Sequence, residues 1–227
     1  MKVVLTLGFA AALGAHVSAH GQEANTWYVG FGLATGRLDE ANQTVLNAPF
    51  PGSTLQLSNS IETGTGALIS VGHARDAWRV ELEYGRQNND SDSYTTQSPF
   101  VATLPQDGST DIRRLMANAY FSFREPVARL RPYLGLGVGR AEVSVVRINA
   151  VAAAPTAPPQ RRVDFDETGS AWQAIAGVSW SISPKLDLSA QYRWWDRGDV
   201  EGLDLRGERV VIGVASHNLD LGLRYAF

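Results

Sequence analysis

The last nine residues, Leu219-Asp220-Leu221-Gly222-Leu223-Arg224-Tyr225-Ala226-Phe227, decide the fold. Leucines, a tyrosine and the closing phenylalanine take every second position, and Asp, Gly, Arg and Ala take the others. Successive side chains of a strand point to opposite faces, so this pattern predicts a strand with one wholly apolar face. The same texture extends back to Ser216 and recurs in seven more segments: Trp27–Gly36, Gly64–His73, Ala77–Gln87, Asp111–Arg124, Arg131–Val146, Thr168–Ser181 and Lys185–Asp196. No segment keeps a helical period, so the prediction is an all-β chain.

One face of each segment is free of charge. The third shows Trp78, Val80, Leu82 and Tyr84; the fourth Leu115, Ala117, Ala119, Phe121 and Phe123; the seventh Leu186, Leu188, Ala190, Tyr192 and Trp194. The opposite faces hold glycines and charges: Arg79, Glu81 and Glu83, then Arg114, then Asp187 and Arg193, then Asp220 and Arg224. A soluble sandwich also alternates, but its apolar face is the inner one. Charges and glycines at mid-strand suit a narrow lumen better than a solvated sheet, which puts the apolar face outside, against lipid. Aromatics gather near strand ends, as membrane interfaces favour. Trp27, Trp78, Phe123, Tyr133, Trp180, Tyr225 and Phe227 are expected at one level, and Tyr84, Trp172, Trp194 and Trp195 at the other.

Connection lengths alternate in step. Long gaps follow the first, third, fifth and seventh segments, including Pro49-Phe50-Pro51-Gly52 and the Ala/Pro-rich run 151–159. Short turns lie near Arg75-Asp76, Glu125–Leu130 and Ser183-Pro184. An eight-stranded antiparallel up-and-down transmembrane β-barrel follows, with both termini periplasmic and four long loops outside. The loops, such as Asp196-Arg197-Gly198-Asp199, are expected to be solvated surface.

Composition narrows the function. The chain has 227 residues, a formal charge of -3, and no cysteine, which excludes disulfides, thiolate metal sites and cysteine nucleophiles. No basic block points to nucleic acid. Residues 1–19 read as an export signal: Lys2, an apolar stretch to Ala15, and Val17-Ser18-Ala19 before the cut. The barrel domain is then 20–227.

The closing aromatic strand ending in Tyr225 and Phe227 resembles the assembly signal of outer-membrane proteins. Arg131-Pro132-Tyr133-Leu134-Gly135-Leu136-Gly137-Val138-Gly139 resembles a recurring strand of the opacity-protein/OmpA-like eight-stranded barrels of porin-family outer membrane proteins. The resemblance implies a Gram-negative outer membrane, contact with its lipids, lipopolysaccharide and the barrel-assembly machinery, and an extracellular loop ligand of unknown identity. The chain stops at the last strand, so no cell-wall-binding domain is expected.

The candidate sites divide by face. Gly135, Gly137 and Gly139 sit within a strand with no helix after them, so they read as packing glycines rather than a phosphate loop. The four histidines are too scattered for a metal, and no cofactor is expected. Ser216-His217 is tolerably placed for lipid A deacylation, but adjacent residues of a strand point apart and no acid near His217 is evident. The inward set Arg79, Glu81, Glu83, Arg114, Asp187, Arg193, Asp220 and Arg224 is expected to pair into a plug, or else to line a gated pore. Arg86, Arg113 and Arg140 continue the outward rows past the apolar band and form a candidate lipopolysaccharide patch. The leading expectation is a non-enzymatic envelope-integrity or adhesin-like surface protein. A small pore comes second and a lipid A-modifying enzyme third.

Overall fold

The alternation is realised as strands throughout the described part of the chain. The computed structural model describes residues 25–39, 41–46, 54–96, 101–123, 130–149, 161–203 and 207–227. The expected export segment and most of the turn at 125–130 lie outside these residues. The strands are β1 (Thr26–Leu38), β2 (Ala41–Leu46), β3 (Thr54–Ile61), β4 (Gly64–Arg75), β5 (Trp78–Thr96), β6 (Ala102–Ser122), β7 (Leu130–Asn149), β8 (Arg161–Ser183), β9 (Leu186–Leu203) and β10 (Arg209–Ala226).

All pairings are antiparallel, and the ring runs β1-β4-β5-β6-β7-β8-β9-β10 before β10 closes on β1. Eight strands therefore make the barrel, although the described residues hold ten. The extra pair lies in the first expected long loop. β2 continues the line of β1 along β10, and β3 continues that of β4 along β5. Backbone bonds bridge the two interruptions, from Asp39 N to Ala215 O at 2.9 Å and from Glu62 N to Asp90 O at 2.8 Å.

Two side chains inside the barrel seal the same breaks. Asn89 donates through Nδ2 to Gly36 O and Glu62 O, each at 3.0 Å, and the Ser216 hydroxyl donates to Arg37 O at 3.2 Å. A buried backbone acceptor left open is costly, so the wall changes strand without losing closure.

The strands overrun the ten to sixteen residues expected of them. β6, β7 and β8 have 21, 20 and 23 residues. About twenty residues at ~3.3 Å each, tilted by ~40°, rise roughly 50 Å, about twice the ~25 Å apolar band. The excess projects from the end away from the chain termini, here called the far end. The expected solvated loop Arg197–Ala215 is thus largely strand, in β9 and β10, and Asp196 to Asp199 lie within β9.

The polarity of the alternation inverts where the strands leave the band. On β7, Leu134, Leu136 and Val138 face outward, but beyond Arg140 the residues Ala141, Val143 and Val145 are buried inside. On β10, Leu219 and Leu221 face outward while Val210, Ile212 and Val214 face inward. With Ile112, Val163, Trp195 and Val200 these form an apolar core inside the far half. Water replaces lipid outside that half, so the hydrophobic effect turns the apolar residues inward. Arg147 is buried in this region, and burial lowers its pKa to about 10, which leaves it charged at neutral pH.

The aromatic girdles form with two exceptions. Trp27, Trp78, Phe123, Trp180, Tyr225 and Phe227 are outward near the termini, with Tyr84 and Trp172 at the other level. Tyr133 and Trp195, expected with them, are buried in the lumen. Each shares strand parity with inward residues, and the lumen has work for both rings.

Candidate functional site

The lumen within the membrane band is filled in layers. The layer nearest the termini centres on Asp187 of β9. It accepts from Ser181 at 2.6 Å, from Arg224 at 3.3 Å and from Arg131 at 3.4 Å.

The next layer is aromatic. Glu81 of β5 accepts from the hydroxyls of Tyr28 (2.8 Å) and Tyr120 (3.1 Å). Arg79 lies over Tyr120 at 4.0 Å and near the Tyr133 ring at 4.9 Å. Tyr133 donates to Gln191 Oε1 at 2.7 Å. The expected ion pairs of Glu81 and Arg79 are therefore replaced. Tyrosine hydroxyls serve the carboxylate, and ring faces hold the guanidinium by cation–π attraction. Gly135 makes room for this layer, because a Cβ there would lie 2.4 Å from the Tyr120 ring.

The third layer is the tightest. Arg193 of β9 forms a two-pronged pair with Glu83 of β5, with Nη2–Oε2 at 2.8 Å, and reaches Asp220 through Nε at 2.9 Å. Gln173 accepts from Arg193 at 2.9 Å and donates to Asn118 at 2.6 Å. Arg114 stands 3.8 Å from Glu83, with its guanidinium 5.9 Å from the Trp195 ring that floors the apolar core above. Every charge here is almost fully buried. A cavity of about 30 Å³ remains among these layers, room for about one or two waters.

All eight inward residues read from the sequence thus meet in one lumen. Gln173 and Gln191 join them, while Tyr28, Tyr120, Tyr133 and Arg131 were missed as members. Their inward parity was the available signal, but their partners lie across the barrel.

On the outer wall, Arg86 and Arg113 stand opposite each other in register, and Arg140 stands opposite Leu115. All three are exposed, as expected. Acids are interleaved among them. Asp111 accepts from Arg86 at 2.7 Å and lies 3.4 Å from Arg113, which also reaches Glu142 at 3.4 Å.

An acid does stand beside His217. Asp39 Oδ1 lies 3.1 Å from Nε2, and the Tyr192 hydroxyl contacts Nδ1. Asp39 escaped notice because it sits at the β1–β2 break, distant in sequence. Ser216 nevertheless points into the lumen, buried, and bonds Arg37 O and Asn218. At the barrel seam, Phe227 N donates to Trp27 O at 3.1 Å, and the Tyr225 and Phe227 rings are exposed on the wall.

The outer membrane protein beta-barrel domain family matches residues 6–227. An opacity protein of Neisseria gonorrhoeae, opA60, is 25% identical over 193 residues, 70% of this chain and 77% of the relative. An uncharacterized protein of Brucella abortus is 31% identical over 131 residues, 49% of this chain. That match spans 46%, about half, of the Brucella relative. Among solved structures, Neisserial surface protein A superposes with a TM-score of 0.56 at 20% identity, covering 88% of this chain and 97% of its own. OprG of Pseudomonas aeruginosa gives 0.59 at 15% identity, covering 91% and 98%.

Proposed function

We propose, from the premise that this chain belongs to the outer membrane protein beta-barrel domain family, that it is a closed, non-conducting barrel working through its far rim. Both termini face the periplasm in this reading, and the far half stands outside the cell. The filled lumen carries the reading: the Glu83–Arg193 bridge blocks the membrane band and an apolar core blocks the half above it. A conducting pore needs a continuous polar path, and here a polar plug meets an apolar one.

What such a barrel offers is a stiff platform. Strands that continue about 25 Å beyond the band, packed on their own core, carry the far ends of β5 to β10 clear of the bilayer. The function is surface interaction of an adhesin-like kind, together with an envelope-integrity role. Ser216, the hydroxyl next to His217 in sequence, is turned to the other side of the wall, so the two do not form a nucleophile–base pair.

Planar-bilayer recording of the purified protein tests the closed state. The expected result is no steady conductance. A stable, large, salt-dependent conductance in the unmodified protein overturns the reading in favour of a pore.

A further inference from the structure

The outward face of β6 sinks in the middle of the membrane band. Between Arg113 and Phe121 it reads Leu115, Ala117, Ala119. Ala117 is flanked in register by Leu82 and Val138, and Ala119 by Val80 and Leu136. The four flanking side chains stand out while the alanines present single methyl groups, and this dip is part of an open depression of about 540 Å³ that continues across β5 to Val71, His73 and Trp27. Trp78 and Phe121, in edge-to-face contact at 5.1 Å, form the next row towards the termini. Along β6 the low floor is short, roughly 7 Å from Ala117 to Ala119 at ~3.3 Å per residue, between the protruding Leu115 and Phe121, so an acyl chain seated there runs on across the strands towards Val71 and Trp27.

Beyond Leu115 the wall above the depression is cationic. Arg140 flanks Leu115, and Arg86 and Arg113 form the next row up. Asp111 and Glu142 engage Arg86 and Arg113. Arg140 makes no ion pair among the described residues. Three guanidinium groups face two carboxylates, so one positive charge is uncompensated, at the mouth of an apolar trough. Diagonal neighbours across a strand pair lie ~7–8 Å apart, so Arg140 and Arg113 are both within reach of one phosphate.

We propose that this groove is a binding site for lipid A, with a phosphate held by Arg140 and Arg113 and one acyl chain lying along Ala117 and Ala119. Charge complementarity selects an anionic headgroup and the trough selects a chain attached just below it. The choice of the outer-leaflet glycolipid over a glycerophospholipid rests on the orientation given under Proposed function.

Purified protein in zwitterionic micelles is titrated with diphosphoryl lipid A, and binding is read by native mass spectrometry and by the rise in Tm. The parent should bind one equivalent and melt higher. Arg140→Ala should weaken binding about tenfold. Ala117→Leu with Ala119→Leu should do the same by filling the trough, and its outward apolar side chains leave the fold intact. Dephosphorylated lipid A should bind the parent no better than lipid A binds Arg140→Ala. Parent-like binding by both variants overturns the site. Equally tight binding of phosphatidylglycerol overturns the assignment to lipid A. Orientation is tested separately, by labelling Asp107→Cys on intact cells with an impermeant maleimide; labelling supports the outer-leaflet placement. Absence of labelling overturns the orientation and leaves the micelle result standing.

Discussion

Glu83 and Arg193 stand on strands that face each other across the barrel: β5 and β9 are four places apart in a ring of eight, and the Arg193 guanidinium grips both carboxylate oxygens of Glu83. One ion pair thus spans the full width of the lumen. Both groups are desolvated, so the pair acts as a cross-brace whose halves cannot be separated cheaply.

Glu83→Ala should therefore cost about 3–5 kcal/mol, because it leaves the Arg193 charge with Asp220 alone. Glu83→Ala combined with Arg193→Met should recover only part of the loss, because it removes both charges of the brace but leaves buried Arg114 and Asp220 without those partners. Urea unfolding in micelles, followed by tryptophan fluorescence, measures both. A double variant as unstable as the single one would contradict the brace.

Gly135→Val should destabilise the barrel by about 1–3 kcal/mol through overpacking. Its Cβ would meet the Tyr120 ring, which holds both Arg79 and Glu81. Tyr120→Phe keeps the ring under Arg79 and removes one donor to Glu81, so its cost should be smaller, about 0.5–1.5 kcal/mol. Reversal of that order in chemical denaturation would show that the ring is not the constraint.

Asn89→Ala should loosen the far end selectively. It leaves Gly36 O and Glu62 O without their side-chain donor at the two breaks in the wall. The expected cost is about 1–3 kcal/mol. Hydrogen exchange should rise around β2 and β3 while β7 and β8 keep their protection.

Trp195→Ala should open the floor of the far-half core at a cost of about 3–5 kcal/mol. Limited proteolysis should then cut the far half, while the aromatic layer around Glu81 stays intact. Uniform unfolding of the whole barrel would mean that the two halves are one cooperative unit.

Ser216→Ala should leave cellular lipid A unchanged by mass spectrometry. The Ser216 hydroxyl bonds the wall carbonyl of Arg37 and faces away from His217. Its loss should instead lower stability by about 1 kcal/mol. A shift in lipid A acylation that depends on Ser216 would restore the enzymatic reading.

The sequence by itself missed the extra pair β2 and β3, but it determined the eight strands of the ring and most of the sorting of side chains between wall and lumen. Those follow from a period of two, which is local and survives any register. It also placed all eight inward charges and all three outward arginines on the correct face, from Arg79 to Arg224 and from Arg86 to Arg140. Only the tertiary structure decided who meets whom. Glu83 finds Arg193 110 positions away, and Glu81 turns to Tyr28 and Tyr120, because ring closure sets which strands face each other. Tyr133 and Trp195 were expected in the outward girdles, yet they share parity with the inward residues and are held in the lumen by Gln191 and the apolar core. The height of the barrel was hidden for another reason. Past Arg140 the same alternation continues with its faces exchanged, as in Glu142-Val143-Ser144-Val145, and a period of two does not say which side is wet. That depends on where the bilayer ends, which is a property of the folded barrel in its membrane.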